Sequence, residues 1–161
     1  MARQEHPFTT ARATLIQTRL ELLRQFQQFG PEELTYATDP DAWSVLKIAY
    51  HIYLADDLLL QITRQIQEED HPHIASIGAE HRRLVHETGH LLPLETVLAG
   101  MQTRREALLN YLADLPIAAW ERPLYHAQRG EMRFYQWIHM LPEHDLKHIQ
   151  QLSDLRAEGL S

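Results

Sequence analysis

The chain contains no cysteine. That excludes disulfide scaffolds, thiolate-ligated zinc, iron–sulfur clusters and a thiol nucleophile. Lysine is almost missing too, with only Lys47 and Lys147. Acids outnumber bases 22 to 15, giving a formal charge of −7. The basic face that marks a nucleic-acid-binding module is therefore not expected. No apolar run approaches the roughly 18 residues of a membrane span. Residues 1–8 carry charge and a proline but no apolar stretch, so no secretory signal is read there and a cytoplasmic location is expected. There is no glycine-rich phosphate loop, and no serine sits in a nucleophile-elbow context. No segment alternates with period two over more than a few residues, so a sheet is not expected.

What remains is a 161-residue chain, 44% hydrophobic and 23% charged. Its length sets a prior of about one domain, spanning 1–161, with roughly 70% of the unfolded surface buried. Four segments carry helical periodicity. In residues 10–29 the face is Leu15, Leu22, Phe26 and Phe29, with Thr9 or Thr10 as cap and Gly30-Pro31 as stop. In residues 45–69, Val45, Ile48, Ile52, Ala55, Leu59, Ile62 and Ile66 form a sustained stripe behind a Ser44 cap. Residues 94–115 present Leu94, Leu98, Met101, Leu108, Leu112 and Leu115, just after Pro93. Residues 134–156 present Phe134, Trp137, Leu141, Leu152 and Leu155. Four such helices bury their stripes against one another, an all-α four-helix bundle. The second connection, residues 70–92, is too long for a turn. It has room for a short helix near 80–87 and for a lid or crossover role.

Eleven histidines stand out. His144 and His148 are four apart and lie one turn above each other on one helix face. With this many histidines about 0.7 such pairs is expected by chance, so spacing alone decides little. Their face is more telling. They occupy the gap in the stripe Phe134, Trp137, Leu141, Leu152, Leu155, where two aliphatic side chains would otherwise pack. Buried imidazoles need partners. A metal satisfies both, and so do ordinary hydrogen bonds. His51 lies about 60° off the stripe of the second helix, at the core margin, from where it can reach across. Three imidazoles with an open position form the pattern of a catalytic rather than a closed structural site.

A rival motif is His86-Glu87-Thr88-Gly89-His90, a literal H-E-x-x-H. The peptidase version needs a stable helix, and Gly89 and Pro93 oppose one. The metzincin continuation is absent. Other polar residues invite plainer readings. Arg104 and Arg105 are expected at the surface. Glu143 and Asp145 are expected to face solvent. Tyr50 and Tyr53 are expected at helix interfaces, and Trp43 anchors the start of the second helix.

The run Trp43-Ser44-Val45-Leu46-Lys47-Ile48-Ala49-Tyr50-His51 resembles the W-S-x-x-E-x-x-x-H signature of the DinB-like four-helix-bundle superfamily. The run His144-Asp145-Leu146-Lys147-His148-Ile149-Gln150-Gln151-Leu152 resembles its closing H-D-x-x-H-x-x-Q-[IL]. The resemblance covers roughly residues 8–157. It implies an up-down-down-up bundle, a divalent metal held by His51, His144 and His148, and a homodimer. Characterised relatives include thiol-dependent transferases and isomerases. One departure is Lys47, which stands where the pattern has Glu and removes the Ser-x-x-Glu capping box. Pro142, two residues before His144, opens the carbonyl of Ile138 and makes a local kink an expectation.

Three neutral imidazoles leave a bound metal near +2, able to activate water or stabilise a thiolate. All-histidine ligation suits zinc, nickel, iron or copper. The expected function is a metal-dependent hydrolase or a low-molecular-weight-thiol S-transferase acting on a small molecule. A non-catalytic dimeric binding bundle is the alternative. Neither a nucleic-acid partner nor a membrane is expected.

Overall fold

The computed structural model describes residues 5–37, 42–75 and 92–159. Four long helices dominate: α1 (Pro7–Phe26), α2 (Val45–Glu68), α3 (Leu94–Ala113) and α4 (Phe134–Gly159). Short 3-10 turns cover Pro31–Glu33 and Ile117–Glu121. The helix α1 starts earlier than Thr9 or Thr10. His6 is its cap, its Nδ1 accepting from the Phe8 amide at 3.1 Å, and Pro7 opens the first turn. It also stops at Phe26, and Phe29 is buried from the following turn rather than from the helix. Ser44 caps α2 as expected, its Oγ accepting from the Lys47 amide at 3.2 Å without help from a Glu. The helix α4 runs through the buried Pro142.

The core separates into two apolar clusters, and their membership gives the helix directions. One holds Ala11 and Leu15 of α1, Ile62 and Ile66 of α2, Leu108 and Leu112 of α3, and Phe134, Trp137 and Leu141 of α4. The other holds Leu22 and Phe26 of α1, Val45 and Ile48 of α2, Val97 and Met101 of α3, and Leu152 and Leu155 of α4. The start of α1 thus shares an end of the bundle with the ends of α2 and α3 and with the start of α4. This is an up-down-down-up bundle. Because α2 and α3 point the same way, the end of α2 and the start of α3 stand at opposite ends of the bundle, roughly 36 Å of helix apart, a separation that no short turn spans. Residues 76–91 of that connection, including the 80–87 segment and the H-E-x-x-H motif, lie outside the described residues. The helices α2 and α3 approach closely at Gly100, where a Cβ would collide with the Tyr53 ring.

A small sheet corrects the expectation of none. The strands β1 (His73–Ile74), β2 (Pro123–His126) and β3 (Gly130–Arg133) pair in that order, β1 parallel and β3 antiparallel to β2. Leu124, His126 and Met132 point into the bundle end while Tyr125 and Glu131 face out. Gly130 closes the hairpin at φ 75°, a conformation that suits glycine. Strands of two to four residues show at most two alternations, too few to stand out from helical patterns.

Candidate metal centre

Two helices build the site. His51 projects from the first half of α2, and His144 and His148 from the middle of α4, so the three rings meet on the side of the second apolar cluster. Ring centroids are 4.5 Å apart for His144–His148, 4.9 Å for His51–His148 and 5.5 Å for His51–His144. One ligand nitrogen from each lies within 4.8 Å of those of the other two. Trp43, half-buried beside the second cluster, leans over the His51 ring at 5.0 Å.

The proton positions follow from the partners. His148 Nδ1 donates to Gln151 Oε1 at 2.8 Å, since an amide oxygen only accepts. That leaves the His148 Nε2 lone pair facing Nε2 of His144 at 3.2 Å. Metal–imidazole bonds of 2.0–2.1 Å in a tetrahedral site would set neighbouring nitrogens about 3.3 Å apart. The α4 pair already has the edge length of such a site. Burial pushes His144 down to about 3, and the nearby His148 adds to the shift. Burial lowers His148 as well, against the opposing hydrogen bond to Gln151. Both rings are therefore neutral at pH 7, the form that ligates. By spacing, protonation state and donor type the residues fit a divalent transition metal.

Directly below the histidines lies a layer of buried charge that the sequence reading missed. Asp145 is fully buried, and Arg105 is 7% exposed, so neither faces solvent as expected. Arg19 of α1 donates to both oxygens of Asp56 at 2.6 and 2.9 Å. The same guanidinium donates to Asp145 at 3.0 and 3.4 Å. Arg105 approaches Asp145 at 3.3 Å and Asp56 at 3.9 Å, and donates to the Leu15 carbonyl at 3.2 Å. Thr18 completes Asp145 with a hydroxyl at 3.1 Å. Each helix contributes one charge, and two positive and two negative groups cancel. Burial alone would raise the Asp145 carboxyl, but Arg19 and Arg105 hold it below the usual carboxylate range. Burial lowers Arg105, with the Arg19 charge acting the same way. A signal was available: Arg105 sits between Met101 and Leu108, and Asp145 between Leu141 and His148, at stripe positions of their helices. Arg104 behaves differently, lying over the Tyr53 ring at 3.7 Å and donating to the Tyr53 carbonyl. Tyr50 and Tyr53 pack against the second cluster as expected.

Comparison with known proteins supplies the wider setting. The DinB superfamily model matches residues 14–152. YuaE of Bacillus subtilis (strain 168), an uncharacterised protein, is 23% identical over 155 residues, covering 88% of this chain and 94% of its own. YfiT from Bacillus subtilis, described as a probable metal-dependent hydrolase with an unusual four-helix bundle topology, superposes with a TM-score of 0.80 at 14% identity. The match spans 97% of this chain and 89% of that one. TT2238, described as a four-helix bundle protein, gives a TM-score of 0.65 at 23% identity over 91% of this chain and 98% of its own.

Proposed function

The chain belongs to the DinB superfamily, and from that premise we propose that it is a metal-dependent hydrolase of small molecules whose metal is held by His51, His144 and His148. The observation that carries this reading is the convergence of three imidazoles from two helices, with the α4 pair at 3.2 Å between Nε2 atoms. The description of YfiT favours hydrolysis over thiol transfer.

A divalent cation held by these three neutral imidazoles would keep its full charge and would supply Lewis acidity to a water or a thiol. The residues of this chain do the rest. Gln151 holds the proton of His148 on Nδ1, so Nε2 is presented with its lone pair towards the metal position. Burial keeps both α4 imidazoles unprotonated at neutral pH, so protons do not compete for the ligand nitrogens. Trp43 packs its ring against that of His51, at 5.0 Å between centroids.

The test is a panel of ester, amide and thiol-transfer substrates assayed before and after chelation, with zinc, nickel and iron(II) added back. Hydrolysis lost on chelation, restored by one metal and absent in His148→Ala supports the proposal. Metal-dependent thiol transfer without hydrolysis would move the chain to the transferase class. Turnover that is indifferent to chelation and to His148→Ala would overturn it.

A further inference from the structure

The ligands come from two helices, so the site exists only if α2 and α4 are held in one register. Ligand bonds tolerate errors of about 0.2 Å. Apolar packing is non-directional and does not by itself supply that accuracy. The buried charge layer places directional contacts beside the ligands. Asp56 lies five residues beyond His51 on α2, about 7.5 Å along the axis. Asp145 is the immediate neighbour of His144 on α4. A single guanidinium from α1, a helix that carries none of the three histidines, grips both carboxylates at once with four contacts between 2.6 and 3.4 Å.

We propose that Arg19 is a positioning residue of the three-histidine site, a role that rests on the metal reading above: it ties Asp56 on the His51 helix to Asp145 on the His144–His148 helix and so sets the distance at which the two ligand groups meet. The planar five-donor fork is what makes this work. It spans two carboxylates in fixed geometry, which the single ammonium of a lysine cannot do. Arg105 has a different part. It neutralises the layer and touches Asp145, but it stands 3.9 Å from Asp56 and bridges the two ligand helices poorly. Four ionised groups in the core are costly to desolvate, and well-packed apolar residues of similar volume often serve stability as well or better. Directional bonding is what the charged layer adds, and here it falls next to the ligands.

The experiment compares Arg19→Lys with Arg105→Lys in the full chain, reading zinc affinity by chelator competition and stability by urea unfolding. Arg19→Lys is expected to weaken zinc binding about tenfold or more, the scale of losses in outer-shell support. Arg105→Lys, for a similar loss of stability, is expected to stay within about twofold. A metal-free readout accompanies it. Cross-relaxation between the ring protons of His51 and His148, whose centroids are 4.9 Å apart, is expected in the parent and lost in Arg19→Lys. If Arg19→Lys does not fold, Asp56→Asn removes charge from the α2 arm alone and is read in the same way. Parent-like cross-relaxation and affinity in the Arg19 variant, or an equal loss in both variants, would overturn the proposal. A parent protein that binds no zinc at the histidines would sink the metal reading, while the cross-relaxation would still decide the role of Arg19.

Discussion

Lowering the pH from 7 to 5 should destabilise the metal-free protein, chiefly through its buried histidines. His144 has its pKa lowered from 6.5 to about 3, first by burial and then by His148. Between those values the unfolded chain binds the proton more tightly, so acid favours unfolding. The His144 contribution is fully present above pH 6.5 and is lost as the pH falls towards 3. Linkage gives about 2 kcal/mol of lost stability at pH 5. Water at the accessible edge of this half-buried ring trims that to about 1–2 kcal/mol. His148 and His126, both lowered mainly by burial, act in the same direction. Asp145 is depressed as well, but a carboxylate window lies below about pH 4 and leaves the 7-to-5 interval to the histidines. The assay is urea unfolding in chelator at pH 7, 6 and 5 for the parent and for His144→Leu. The variant should show a loss smaller by about 1–2 kcal/mol. Identical slopes in the two proteins, or stability that rises towards pH 5, would refute the reasoning.

Other expectations follow from individual contacts. Asp145→Ala leaves two buried guanidiniums short of a partner and should cost about 3–5 kcal/mol in chemical denaturation. Gln151→Leu frees His148 to carry its proton on Nε2, and metal affinity should fall about tenfold, with Gln151→Glu restoring it. Thr63→Val strips the buried Trp137 Nε1 of its acceptor, now at 3.1 Å, and should cost about 1–3 kcal/mol in urea unfolding. Gly100→Ala drives a methyl into the Tyr53 ring and should destabilise by about 1–3 kcal/mol in thermal unfolding.

The helices were readable because a stripe such as Val45 to Ile66 repeats the 3.6 period over many turns and averages out local noise. Their ends were less so. His6 took the cap of α1 through its ring nitrogen, a role that residue statistics assign to Ser, Thr, Asp or Asn. The sheet escaped because its strands are shorter than the pattern needed to see them. At the site, the i, i+4 pair His144–His148 and the margin position of His51 are visible in the spacing, and the fold brings the three rings together. Arg105 and Asp145 stand at stripe positions too, but a charge on a helix is by default assigned to water, and so Arg19, Asp56, Arg105 and Asp145 do not read as core residues. Only the pairing of all four across the bundle, which is a tertiary fact, makes their burial tolerable.

The central claim is that His51, His144 and His148 hold a metal, and metal content tests it most directly. Untagged protein purified without chelator, together with His144→Ala and His86→Ala variants, would be analysed by inductively coupled plasma mass spectrometry. The account predicts close to one divalent transition metal per chain in the parent and in His86→Ala, and little in His144→Ala. A parent that carries no metal even after incubation with zinc, nickel or iron, or a metal kept in His144→Ala and lost in His86→Ala, would contradict it.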